Sequence, residues 1–116
     1  MQPQITFEDF LKVDIRVGKI LEVSEFPEAR KPAYKLKIDF GAEIGVKRTS
    51  AQLTVRYTDA NALVGRKVIA VVNFPPKQVA NVMSEVLVLG VSDQSGGIIL
   101  LEPENQDEAP LGSRVH

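Results

Sequence analysis

The stretch Tyr34-Lys35-Leu36-Lys37-Ile38-Asp39-Phe40 alternates without a break: the even positions are apolar and the odd ones charged. Side chains on an extended strand point to opposite faces in turn, so a period of two predicts a half-buried antiparallel strand. Such a strand is not stable alone; the rest of the chain must supply partners and a second layer.

Partners are readable on both sides. Residues 14–24 alternate at Ile15 and Val17 and again at Leu21 and Val23, with Gly18 between them where a long strand can bend or bulge. Gly41 and Gly45 bracket a turn, and Val46 to Leu53 returns as a more polar strand. Val68 to Val72, Val86 to Val91 and Ile98 to Leu101 are rich in β-branched and aliphatic residues. Two interruptions are helical: Thr6-Phe7-Glu8-Asp9 reads as a capping box opening a helix over 6–12, and Thr58 or Asp59 caps a short turn ending at Gly65. Five or six short strands with turn signals between them predict an all-β chain, a barrel or a sandwich. With 116 residues the chain forms one domain: a helix over 6–12, a barrel over 14–101 and a C-terminal extension over 102–116.

Charge is placed unevenly. The net charge is −1, yet residues 30–77 hold ten basic and three acidic side chains, while residues 1–29 hold three and six and residues 78–116 hold one and six. A basic middle between acidic flanks predicts a patch for an anionic partner.

Catalytic chemistry has little to stand on. There is no cysteine, and the single histidine is His116. No triad, thiolate nucleophile, disulfide or His- or Cys-based metal site can be assembled from these residues. The glycines of 41–50 miss the phosphate-loop spacing, and pairs such as Glu8/Asp9 and Glu102/Glu104 read as solvated charge. The expectation is a binding protein, with no catalytic residue, metal or cofactor. No run approaches the roughly 20 apolar residues of a membrane span, and Met1-Gln2-Pro3-Gln4 lacks the character of a signal peptide, so a cytoplasmic location without membrane insertion is expected.

Two strands, Val68 to Val72 and Ile98 to Leu101, are apolar on both faces. A small barrel buries one face, so the other needs a cover: the helix, the C-terminal segment or a second copy. A two-fold homodimer is the economical answer, with Phe7, Phe10, Leu11, Leu111 and Val115 at its interface.

The binding residues follow from the basic middle. Lys35 and Lys37 share one strand face; Lys47 and Arg48 lie on the next strand, and Lys31 and Lys77 border them. In an OB-fold, oligonucleotides bind across strands 2 and 3 and the flanking loops, where these residues fall. Aromatic platforms are few: Phe26, Tyr57 and Phe74 are the candidates.

Asp14-Ile15-Arg16-Val17-Gly18-Lys19-Ile20, Lys31-Pro32-Ala33-Tyr34-Lys35-Leu36 and Leu63-Val64-Gly65-Arg66-Lys67-Val68 resemble, in order, segments of the tRNA-binding domains appended to methionyl-tRNA synthetases. Residues 26–36, Thr49-Ser50-Ala51-Gln52, residues 71–78 and residues 84–90 resemble the CsaA-type secretion chaperones within that family more closely. The resemblance implies a five-stranded OB-fold barrel with dimerising terminal additions, a partner among tRNA or other structured RNAs, and unfolded preproteins as clients. The sequence departs from the synthetase pattern at Ser50-Ala51-Gln52 and at Ser84-Glu85-Val86, where a carboxylate beside an RNA groove would repel phosphate.

Two sets of residues are therefore expected to bind. For RNA, Lys31, Lys35, Lys37, Lys47, Arg48 and Lys77 meet phosphates while Ser50, Gln52, Asn73 and Ser84 give neutral hydrogen bonds. For polypeptide, Phe74, Pro75, Pro76, Val79, Val82 and Met83 form an adaptable apolar site.

Overall fold

The computed structural model describes residues 1–116. Helix α1 (Phe7–Leu11) is closed by the predicted box: Thr6 Oγ1 accepts from the Asp9 N–H and Asp9 returns the bond to the Thr6 N–H. Five strands make the main sheet: β1 (Ile15–Glu25), β2 (Tyr34–Asp39), β3 (Val46–Ala51), β4 (Lys67–Val71) and β7 (Leu87–Val88). Their order is β3-β2-β1-β4-β7. A single helical turn, α2 (Gly41–Ile44), joins β2 to β3, and a 3-10 helix at Ala60–Leu63, capped by Asp59, leads into β4. Two hairpins complete the chain: β5 (Lys77–Val79) with β6 (Val82–Ser84), and β8 (Gly90–Ser92) with β9 (Ile98–Leu100).

The predicted alternation is realised in β2. Tyr34, Leu36, Ile38 and Phe40 are buried while Lys35, Lys37 and Asp39 are partly exposed. The inward set meets Ile20, Leu53, Leu63, Val68, Ala70, Val86 and Leu100 in one core. Thr49, the one buried polar residue, donates its hydroxyl to the Val86 carbonyl at 2.7 Å. That bond and the Glu85 N–H to Arg48 carbonyl bond, 2.8 Å, draw β3 against the chain after β6. The sheet thus curls into a nearly closed barrel of the OB kind, short helix included.

The bend in β1 is not at Gly18. The register slips between Ile20 and Glu22, leaving Leu21 as the bulged residue. Gly18 instead makes room in the core. A Cβ there would stand 2.6 Å from both Ile38 and the Phe40 ring, so its missing side chain is the space that Phe40 fills.

The C-terminal extension is fastened to the barrel. Gln106 exchanges hydrogen bonds with the backbone of Lys67, and Arg66 forms a bidentate pair with Glu102. Farther on, the Val17 N–H donates to Ser113, Gly112 to Val17 and Val115 to Ile15, so residues 112–115 run beside the first half of β1. No helix is long and apolar enough to cross a membrane.

Candidate binding cleft and basic face

Direct pairing sets which side chains share a face. Lys35 pairs with Ser50, Lys37 with Arg48 and Leu36 with Thr49 across β2 and β3. Leu36 and Thr49 are buried, so Lys35, Lys37, Arg48 and Ser50 stand together on the outer face. Glu22 joins them from β1, 3.4 Å from the Lys37 ammonium. Lys47 is separated from this group by the pleat: it pairs with the buried Ile38 and reaches the Glu85 carboxylate at 4.0 Å. Glu85 also accepts the Arg48 N–H. Ser84 adjoins the face through its hydroxyl, 3.1 Å from that of Ser50.

A second feature lies at one end of the barrel. The β1–β2 loop, with Glu28, Arg30 and Lys31, and the β5–β6 hairpin, with Lys77 to Ala80, form the two lips of a cleft of about 1300 Å³. Its floor is Leu53, Leu87, Val88 and Ile98, and Ser50 and Gln52 stand at the end of β3 between the lips. Leu87 is half exposed, which leaves apolar surface open to the cleft. Arg30, Lys31 and Lys77 take part in none of the ion pairs of the molecule. No aromatic residue lines the cleft.

The sequence-derived residues divide among these places. Lys31, Lys77, Ser50 and Gln52 enter the cleft together with Val79 from the polypeptide set. Val82 is Val79's partner across the hairpin, and Met83 stands exposed opposite Gln78. Phe74, 52% exposed, and Pro75 and Pro76 lead into β5 outside the cleft. Asn73 is used structurally: its amide nitrogen donates to the Lys12 carbonyl at 2.7 Å and its oxygen accepts from the Asp14 N–H at 2.9 Å. Among the stacking candidates, Phe26 is buried beneath the Lys35 ammonium, 5.7 Å away, and Tyr57 is half-buried under Arg66. Of the interface residues, Phe7 and Leu11 are exposed, and Phe10, Leu111 and Val115 are half-buried. Sequence reasoning missed Arg30, Gln78 and Leu87; the Arg30-Lys31 doublet was a signal for the first, whereas the others acquire meaning only when the hairpin and β7 meet.

The comparisons with known proteins agree on this fold. A CsaA chaperone from Picrophilus torridus is 52% identical with a TM-score of 0.88, covering 97% of this chain and all of that one. A CsaA chaperone from Bacillus anthracis is 48% identical with a TM-score of 0.89, covering 98% of this chain and all of that one. The methionine–tRNA ligase of Pyrococcus horikoshii is 38% identical over 111 residues, which are 96% of this chain and 14% of that enzyme. This chain therefore spans about one-seventh of the length of such a relative. Residues 15–114 match the family model for a tRNA binding domain. Because that match runs from the first residue of β1 to the segment that pairs back against it, the chain belongs to the tRNA-binding-domain family.

Proposed function

We propose that this chain is a homodimeric, non-catalytic binding module of the cytoplasm that holds unfolded preproteins before export, on a fold that also binds tRNA. The observation that carries the polypeptide reading is the composition of the cleft. An apolar floor between cationic lips accepts alternating apolar and polar side chains, whereas a nucleic acid strand would want a stacking platform that the cleft lacks. The two chaperone structures, similar over the full length of both chains, support this reading.

A second reading, structure-specific tRNA binding without a chaperone role, is favoured by the outer face of β2 and β3. Lys35, Lys37 and Arg48 lie there beside Ser50, with the carboxylates of Glu22 and Asp39 on the same face. Flat, cationic and without exposed rings, that face suits the phosphates of a folded RNA more than unstacked bases. The family match supports it.

Titration against fluorescent total tRNA and a fluorescent unfolded polypeptide, each at low and high salt, separates the two. About five phosphate contacts give a log-log salt slope of roughly −3 to −4, whereas burial of apolar side chains is nearly indifferent to salt. Salt-resistant polypeptide binding is the expected result; tRNA binding with no polypeptide binding would remove the chaperone role.

A further inference from the structure

The β5–β6 hairpin turns through two residues, Ala80 and Asn81, with Val79 and Val82 as its closing pair. In such a hairpin the closing pair exchanges both hydrogen bonds and the next pair exchanges none. Gln78 and Met83 are that next pair, so the N–H and C=O of Gln78 point away from β6. No other strand pairs with β5. Four consecutive residues, Lys77 to Ala80, line the cleft, where a strand turned face-on would offer only alternate ones, so this free edge is taken to face the space between the lips. Its neighbours limit the opening: Pro75 and Pro76 have no N–H, and the Gln78 side chain covers the Ala80 carbonyl at 3.1 Å.

We infer that the cleft binds an extended polypeptide segment by adding it as a strand along β5 at Gln78, and that the preferred segment alternates apolar with acidic side chains. The inference deepens the polypeptide reading of the cleft and rests on it. A strand needs both a donor and an acceptor from its host, which Gln78 offers; a phosphate backbone would use the donor alone. Alternate side chains of an added strand point in opposite directions. One set falls on Leu53, Leu87 and Ile98, and the other turns to lips where Arg30, Lys31 and Lys77 outnumber Glu28. Since those three cations have no carboxylate partner in the molecule, acidic side chains complete the pairing without breaking an existing one.

The probe is a short fluorescent peptide alternating valine and glutamate, titrated against the full chain by anisotropy. Lysine in place of glutamate should weaken binding about tenfold, and N-methylation of the central amides should weaken it about as much by removing hydrogen bonds while keeping charge and shape. Gln78→Pro deletes the outward N–H, whose acceptor is a peptide carbonyl that methylation leaves intact, and keeps the ladder with β6 whole, so it should weaken the methylated and unmethylated peptides alike. Lys31→Glu with Lys77→Glu should reverse the preference toward the lysine peptide. If unfolded polypeptide binds but N-methylation has no effect, strand addition is wrong and the chaperone reading stands. Where no polypeptide binds at all, both fall. If the double charge reversal weakens tRNA and spares the peptide, the cleft belongs to RNA and the inference is overturned.

Discussion

Lys37 and Arg48 stand directly opposite each other across the β2–β3 ladder, two cations on one exposed face. Like charges in this position oppose strand pairing, and the Glu22 carboxylate at 3.4 Å from Lys37 offsets part of the repulsion. An arrangement that does nothing for the sheet is expected to serve a ligand. Lys37→Gln should therefore change stability by less than about 0.5 kcal/mol while weakening tRNA binding and making the log-log salt slope shallower by about 0.7 to 0.9. Thermal melts and salt-stepped titrations read the two effects. Unchanged tRNA affinity would take Lys37 out of the RNA face.

Asn73 tests the opposite assignment. Its amide ties the end of α1 to the end of β4 through Lys12 and Asp14, and the Val72 N–H donates to the Asp14 carbonyl beside it. Asn73→Ala should cost about 1 kcal/mol, speed amide exchange over residues 7–14 and leave tRNA affinity unaltered. A loss of tRNA affinity at unchanged stability would instead put Asn73 in the RNA site.

The β8–β9 hairpin, which supplies Gly90 and Ile98 to the cleft, turns around the Asp93 carboxylate. One oxygen accepts the Gly97 and Ser95 N–H groups at 2.8 Å each, and the other lies 3.5 Å from Arg56. Backbone hydrogen bonding, led by Gly97, holds this acid below its ordinary value of 3.8. A depressed carboxyl stabilises the fold above its unfolded pKa, and that contribution is lost as pH falls through the lower folded value. The turn should therefore hold its geometry at neutral pH and loosen with a midpoint below that of an ordinary aspartate, seen as a change in the Gly97 amide shift in an NMR titration. Asp93→Asn should flatten that transition; a transition that persists in the variant would assign it to another group.

Much of this was legible in the chain. The run 34–40 specified the central strand and its buried face because one period governs both, and Thr6 with Asp9 marked the helix start through a local bond. The bulge was misplaced because a glycine in a strand signals either a bend or a close approach, and only the position of the Phe40 ring decides between them. Lys47 could be grouped with Lys35 and Lys37 by charge, but its direction depends on pairing with Ile38, which mixed β3 residues do not encode. The cleft was the least legible part. Its lips and floor come from residues 28–33, 50–53, 77–80 and 87–98, segments that meet only after the barrel has curled. The β5–β6 hairpin carries little signal in the sequence because its strands are three residues long and β5 follows two prolines.

Helix α1 poses the last question, that of assembly. Five residues are too few for a helix to be stable by itself, and no side chain of α1 is fully buried, Phe10 being only half covered. It is nonetheless held in place, by Asn73 from one side and by the Arg114 guanidinium bonded to the Leu11 carbonyl from the other. Phe7 is 70% exposed and Ile5 71%, with Leu11 and Val13 also open to solvent. An apolar element fixed in position without cover fits a two-fold contact, in which each side chain is used twice. Burying one such ring is worth about 2 kcal/mol, so Phe7→Ser acting at both copies should raise the dimer dissociation constant by about three orders of magnitude. Because the ring is exposed in the single chain, the same change should leave the monomer's unfolding midpoint nearly unmoved, and adding Phe10→Ser should complete the dissociation. Light scattering at micromolar concentration is the measurement. A double variant that keeps the mass of a pair would place the seam elsewhere, and a parent chain already monomeric would mean that α1 presents its face to a different protein.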